Sequence, residues 1–272
     1  MISLFRYFRR KTKAHHVDAY SAQAAFFLLF SFMPLILLVF FAVKSFAISR
    51  ETVIDALNYF FPPFLKQWIS EIMQDVFSQY AIGTTWFSLI AVVWSASKCV
   101  YHIIGGLNTI FELKEHRTFF HVRFLSILYT FVFIFAIAFT ILLMVFGSYF
   151  FKRATDLIPS VSKYYLVISA TRYTLGVFIL TLFFSCLYKT LPAKKFSVGD
   201  MLPGAIVSAF GWIAFSSMFE LYLENFANYS NVYGGLTSII VFILWLYFCM
   251  QILFFGAEIN LLVQKLNQQK LY

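Results

Sequence analysis

The sequence predicts an all-α, polytopic membrane protein, and three observations carry that prediction. Of its 272 residues, 61% are hydrophobic and only 12% are charged, whereas soluble domains carry about 25% charged residues. Aromatic residues make up 21% of the chain, and the mean hydropathy is +0.79. One buried core of this size could not hide so much apolar surface. Six segments are also long enough to cross about 30 Å of hydrocarbon as helices. A soluble enzyme is therefore strongly disfavoured.

We predict six transmembrane helices in a single membrane domain of residues 1–272. Backbone groups cannot be left without hydrogen bonds in lipid, so segments of this length are expected to be helices and not open strands. The predicted spans cover residues 22–48, 82–110, 119–150, 164–189, 199–223 and 234–263.

Two further segments have amphipathic character. Residues 1–20 are basic, and we expect them to lie at the membrane surface, where they would meet anionic headgroups. Between the first two spans, residues 51–80 carry Trp68, Ile72 and Val76 at helical spacing, and Pro62 and Pro63 break the stretch. This outer segment is interpreted either as a lid over a cavity or as interfacial helices that only connect two spans.

The distribution of Lys and Arg predicts the orientation. The two tails and the connections after the second and fourth spans hold 13 of these residues, and the opposite side holds 7. Positive charge is retained on the cytoplasmic side of membrane proteins. We therefore expect a multi-pass protein of the bacterial cytoplasmic (inner) membrane with both termini in the cytoplasm, and we read the net charge of +9 as topology and not as a nucleic-acid surface.

Charged and polar residues within predicted spans are the candidate functional residues, because ionisable groups in a membrane tend to face a bundle interior or a wet cavity. Lys98 in the second span is the strongest such signal, and it can be interpreted either as a functional cation or as a structural ion-pair member. The other candidates for a substrate path or gate are Ser95, Ser97, Asn108, Glu220, Tyr233 and Glu258.

Prolines and glycines indicate where helices could bend or pack closely. Pro34 lies midway along the first predicted span, and Pro203 lies near the start of the fifth. Proline kinks a helix or occupies its first turn, whereas glycine permits close helix approach. The predicted structural or hinge residues are Pro34, Pro203, Gly204, Gly234 and Gly235.

The sequence offers little support for catalysis. Its five histidines form no HExxH or comparable metal set, and its three cysteines lie in apolar runs without a CxxC pair. No serine elbow, P-loop or dinucleotide fingerprint occurs. We expect no metal, no cofactor and no enzymatic activity, ribonuclease activity included.

Short motifs along the chain resemble the YihY/BrkB membrane family. The stretch from Trp94 to Lys98, followed by Gly-Leu-Asn ending at Asn108, is similar to the family's WSxS(K/R)G…GLN signature. Cys99 stands where the family often has Gly. Other matching positions are Pro34, Arg117, Arg123, Leu191–Pro192, Pro203–Gly204, Tyr233–Leu236, Leu244–Tyr247 and Gly256–Asn260.

The resemblance implies a six-span bacterial inner-membrane protein whose termini are cytoplasmic. It also implies an older label, ribonuclease BN, as an inherited name, together with proposed roles in envelope lipid transport, solute or ion export and serum resistance. The function we predict is transport of an anionic lipid, solute or ion, with membrane lipids as partners and no nucleic acid. A non-transporting scaffold is the alternative, and glycine-bearing helix faces are compatible with a homo-oligomer.

Overall fold

The computed structural model describes residues 10–45, 83–132, 165–225 and 235–269. All regular structure within these residues is helical, which confirms the all-α prediction for this part of the chain. A short helical segment at 10–14 precedes the first long helix. The long helices are α1 (Val17–Ser45), α2 (Gly83–Ile110), α3 (Phe119–Val132), α4 (Tyr165–Thr190), α5 (Val198–Asn225) and α6 (Gly235–Gln269).

Three stretches are long and apolar enough to cross a membrane. They are Ile90–Ile110 in α2, Val198–Phe219 in α5 and Ile239–Gln269 in α6. The described parts of α3 and α4 that are apolar, Phe119–Val132 and Gly176–Thr190, are shorter. The length and apolar character of these three helices identify the chain as a membrane protein. The count of six spans stays a prediction. The predicted outer segment at 51–80 lies outside the described residues.

Helices α1, α2 and α6 pack against one another, and α5 packs against both α6 and α4. The buried core is concentrated where α2 and α4 end and α5 begins, with Leu107, Tyr188, Met201 and Phe254 almost fully enclosed. Several of the functional candidates lie near these helix ends.

The outward faces of the helices are apolar, as expected for contact with lipid. Phe87 on α2 is 77% exposed and Phe120 on α3 is 83% exposed, and α5 presents Ile206 and Phe210 outward. Exposed apolar area of this extent marks a membrane or partner surface. Polar side chains therefore occupy the parts of the helix surfaces that these apolar faces leave.

Helices α5 and α6 cross closely at two glycines. A methyl group added to Gly204 would lie 2.0 Å from the carbonyl oxygen of Gly256, and one added to Gly256 would lie 2.0 Å from the hydroxyl of Ser208. The backbone N–H of Gly204 donates to the Asn260 amide oxygen at 2.7 Å. Small residues here let the backbones approach and form polar contacts.

Candidate functional site: a cation–aromatic surface beside a polar layer

Lys98 lies over aromatic rings and not beside a carboxylate. Its ammonium nitrogen is 5.2 Å from the ring centroid of Phe27 on α1 and 5.9 Å from that of Trp94, one turn earlier on α2. The side chain is partly exposed. Among the described residues, no ion pair includes Lys98. One interpretation of Lys98 is a structural ion pair, and no carboxylate partner for that pair is found among the described residues.

Arg123 of α3 reaches the same indole. Its guanidinium carbon lies 4.3 Å from the Trp94 ring centroid, and its Nη2 donates to the Trp94 carbonyl oxygen at 3.3 Å. The Trp94 side chain is 60% exposed, and His102 stacks on Phe27 with ring centroids 5.1 Å apart. We call Phe27, Trp94, Lys98, His102 and Arg123 the cation–aromatic surface.

This surface lies close to the beginning of α3. The Phe119 ring, in the first residue of α3, is 6.5 Å from the ring of Tyr101 on α2. At 1.5 Å per residue, Lys98 is about 5 Å along the α2 axis from Tyr101 and about 18 Å from Ile110. Helix α2 thus runs on beyond the start of α3, and Lys98 lies within about one turn of that start.

A second group of polar residues, here called the polar layer, joins the N-terminal segment to the ends of α2 and α6. His15 Nδ1 lies 2.5 Å from Glu258 Oε1, and both side chains are buried. His15 Nε2 is 4.0 Å from Glu112, which also accepts from Lys11 at 3.2 Å and Lys265 at 2.7 Å. The polar layer comprises Lys11, His15, Asn108, Glu112, Glu115, Arg117, Glu258 and Lys265.

Asn108 and Glu115 tie two connections together within the polar layer. The Asn108 amide donates to Glu115 at 2.8 Å, and its oxygen accepts from the backbone N–H of Ala193 at 2.7 Å. Arg117 donates to both carboxylate oxygens of Glu115, at 2.7 and 2.8 Å, and to the Leu191 carbonyl at 3.1 Å. The Arg117 hydrogen bonds lower the pKa of Glu115 to about 2, so this carboxylate is charged at neutral pH.

Two non-glycine residues adopt left-handed backbone conformations at the polar layer. Glu112 has φ of 56° and His16 has φ of 53°. After α2, the N–H of Glu112 donates to the Thr109 carbonyl and that of Leu113 to the Asn108 carbonyl, which is the Schellman arrangement normally completed by glycine. Lys265 and Lys11 donate hydrogen bonds to the Glu112 carboxylate and lower its pKa. A glycine at this position would have no side chain to accept these hydrogen bonds.

The structure separates the predicted site residues. Lys98 belongs to the cation–aromatic surface, whereas Asn108 and Glu258 belong to the polar layer, where the partner of Glu258 is His15. Ser95 and Ser97 donate to carbonyls of their own helix, at Ala91 and Trp94. Pro203 lies within α5 near its start, and Gly235 begins α6. Tyr233 and Gly234, and the side chains of Pro34 and Glu220, lie outside the described residues.

Sequence reasoning missed the residues that complete both groups. The sequence places Arg123 only among the topology charges and the positions that match the family, and it gives His15 no role beyond the basic N-terminal segment. One available signal was that α2 has no Asp or Glu between Gly83 and Ile110, so Lys98 needed a partner from elsewhere. Nothing in the spacing of the sequence indicated the contact between His15 and Glu258, which are 243 residues apart.

Comparison with known proteins places the chain in a family. The family model described as "Virulence factor BrkB" matches residues 8–271. The chain belongs to the BrkB family. A ribonuclease-like protein of Bacillus subtilis, YfkH, is 32% identical over 251 residues, covering 92% of this chain and 91% of the relative. No solved structure matches.

Two further relatives are named as membrane proteins. A UPF0761 membrane protein of Alteromonas mediterranea is 26% identical, with 94% of this chain and 85% of the relative covered. One from Actinobacillus pleuropneumoniae is 24% identical, with 95% and 92% covered. These two names agree with the apolar helices. Within the described part of this BrkB-family chain, no three His, Cys, Asp or Glu side chains are grouped to hold a metal.

Proposed function

We propose that this BrkB-family protein transports an anionic lipid, solute or ion across the bacterial cytoplasmic membrane. The single observation behind the proposal is the position of Lys98: a partly exposed cation on an apolar helix, over aromatic rings, without a carboxylate partner among the described residues. An ionisable group in a span is costly and usually functional. An anionic cargo would supply the missing countercharge.

A vesicle assay tests this proposal. The purified protein is reconstituted in liposomes, and transbilayer movement of fluorescently labelled phosphatidylglycerol is compared between wild type and Lys98→Met. We expect the variant to lose roughly tenfold or more in rate, because a charge-assisted hydrogen bond to the cargo contributes about 1.5–3 kcal/mol. Lys98→Arg, which keeps the charge, should retain much of the activity.

The matched control is Lys194→Met. Lys194 is also a lysine over an aromatic ring, 5.8 Å from the Phe196 centroid, but it lies in the connection between α4 and α5. This variant should transport at the wild-type rate. Equal rates for Lys98→Met and wild type would remove the basis of the proposal.

A non-transporting scaffold is the second candidate, and the polar layer favours it. At one end of the bundle His15 contacts Glu258, and Glu112 pairs with Lys11 and Lys265. Helices α5 and α6 touch at Gly204 and Gly256. A bundle of this kind could serve as a rigid platform. Absence of movement for phosphatidylglycerol, small anions and protons in the same liposomes would favour this candidate over transport.

We infer no enzymatic role for the chain. The proposed function uses binding and movement of a charged group, and the described residues bring together no nucleophile with a general base for acyl or phosphoryl transfer. Incubation of the purified protein with labelled single-stranded RNA tests this part directly. Cleavage that is abolished by a point substitution in this chain would revive the ribonuclease interpretation.

A further inference from the structure

We propose that the cation–aromatic surface binds the phosphate of an anionic phospholipid that approaches sideways from the bilayer. The inference rests on the proposed function and specifies its cargo and its entry point. It adds Arg123 and Trp94 to Lys98 as the binding residues, and it identifies the ligand as a glycerophospholipid with a net negative headgroup.

The first argument is the uncompensated positive charge. Lys98 and Arg123 both lie over the indole ring of Trp94, 5.9 and 4.3 Å from its centroid, so the two charges are within about 10 Å of each other. Helix α2 carries no Asp or Glu, and neither does the described part of α3 from Phe119 to Val132. On the described part of α1 the one acid is Asp18, which accepts from Gln251. Two cations held together at low dielectric repel each other unless an anion joins them.

The second argument is the geometry of the two donors. The planar Arg123 guanidinium presents a fork of N–H groups suited to two oxygens of one phosphate, whereas the Lys98 ammonium acts as a point charge. One Arg123 N–H is already bonded to the Trp94 carbonyl oxygen, which fixes the side chain on the ring. The remaining N–H groups of the guanidinium are available to a ligand of this kind.

The third argument is access from the lipid. Trp94 is 60% exposed, and the neighbouring outward residues Phe87, Ile90 and Phe124 are 77%, 67% and 67% exposed. These apolar side chains continue from the cations along α2 and α3, where acyl chains would lie. The cations are within about one turn of the start of α3, and Ile90 and Phe87 follow on α2 in the direction away from that start, so a phosphate bound at the cations would direct its acyl chains along these exposed residues.

A zwitterionic headgroup fits this surface less well. Phosphatidylcholine carries its own ammonium group beside the phosphate, so it brings a cation to a place that already has two. Phosphatidylglycerol brings one net negative charge and neutral hydroxyls. A water-soluble phosphate also offers negative charge but nothing for Phe87 and Phe124 to contact, which is why the inference commits to the lipid.

Quenching of tryptophan fluorescence by brominated lipids tests the inference without any transport. The full-length protein is placed in nanodiscs containing equal mole fractions of brominated phosphatidylglycerol or brominated phosphatidylcholine, and the Trp94 signal is obtained by subtracting the Trp94→Phe variant. We expect brominated phosphatidylglycerol to quench Trp94 more strongly than brominated phosphatidylcholine. Each cation should raise the apparent affinity for phosphatidylglycerol about fivefold, because a basic residue near anionic lipid contributes about 1 kcal/mol.

Variants assign the preference to the surface. Arg123→Gln and Lys98→Met should each reduce the preference about fivefold, and Lys194→Met should leave it unchanged. Trp212 on α5 and Trp245 on α6 are partly buried, with ring centroids 6.0 Å apart, and their emission reports whether each variant is folded. Equal quenching by the two lipids in wild type would overturn the inference, and so would a preference that survives both Arg123→Gln and Lys98→Met.

Two further experiments are needed. One distinguishes a lipid phosphate from a soluble phosphate, and the other tests this inference separately from the proposed function. Soluble glycerol 1-phosphate at millimolar concentration should not relieve quenching, and relief would overturn the assignment to a lipid. Vesicle transport that depends on Lys98 while the lipid preference is absent would overturn this inference and leave the proposed function standing. A lipid preference without any transport would support the site and count against the proposed function.

Discussion

At the scale of single residues, the glycines where α5 and α6 cross are not interchangeable with other helical glycines. A methyl group at Gly204 would lie 2.6 Å from the Asn260 side chain as well as 2.0 Å from the Gly256 carbonyl oxygen. A contact with backbone can be relieved only by moving a whole helix. Around Gly176 on α4, in contrast, no atom of a described residue lies within 4 Å of the place where its Cβ would be, apart from the chain neighbours and the backbone of its own helix.

We predict opposite effects of alanine at these two positions. Gly204→Ala should lower the free energy of unfolding by about 1–3 kcal/mol, the usual cost of overpacking. Gly176→Ala should be neutral or raise it by up to about 1 kcal/mol, because alanine favours the helix. Denaturation in mixed micelles measures both. Equal stability of the two variants would show that the close crossing at Gly204 is wrong.

At the scale of elements, the contact between His15 and Glu258 attaches the N-terminal segment to α6. Both side chains are buried, with 9% and 3% of their surface exposed. Breaking a buried pair from one side leaves an uncompensated polar group and costs about 3–5 kcal/mol. The exposed contact between Lys11 and Glu112, at 31% and 49% exposure, should contribute about 0–1 kcal/mol.

The prediction is that His15→Ala destabilises the protein far more than Lys11→Met. Adding Glu258→Gln to His15→Ala should recover part of the loss, because the buried carboxyl group that has lost its partner is then replaced by an uncharged amide. A double-mutant cycle measures the coupling, expected at about 0.5–3 kcal/mol. Additive effects of His15→Ala and Glu258→Gln would mean that the two residues do not interact in the membrane.

The elements themselves were largely predictable, and the reason is physical. Hydrophobic length dictates where a chain can cross a bilayer, so helices α2, α5 and α6 follow from apolar runs of their own sequence. Side-chain partners follow from how helices pack, which sequence spacing does not encode. Hence Lys98 was recognised as unusual, whereas its neighbours Phe27 and Arg123, on two other helices, could be assigned only from the fold.

Glu258 illustrates the same limit. The sequence identifies it as a candidate for a substrate path or gate, which stays a prediction. Its side chain contacts His15, in a segment expected only to lie on the membrane surface. The burial and the partner of its carboxyl group depend on the turn at His15 and His16 that precedes α1.

At the scale of the whole molecule, the orientation and the span count stay predictions. The basic residues of the polar layer and its connections lie at the end where α2 and α4 finish and α5 begins, and positive charge there predicts a cytoplasmic location. We expect a cysteine at Lys13, introduced in a variant without Cys99, Cys186 and Cys249, to resist a membrane-impermeant thiol reagent in intact cells and to react after lysis. Labelling in intact cells would show that this segment lies outside the cytoplasm, opposite to the predicted orientation.

The central claim is that Lys98 serves a cargo and not the stability of the bundle. The most direct test measures phosphatidylglycerol movement and resistance to unfolding in one reconstituted preparation of Lys98→Met. We predict that transport falls by roughly tenfold or more while the free energy of unfolding changes by less than about 1 kcal/mol, as for residues without a buried partner. Unchanged transport, or a loss of stability that accounts for the loss of transport, would contradict the account.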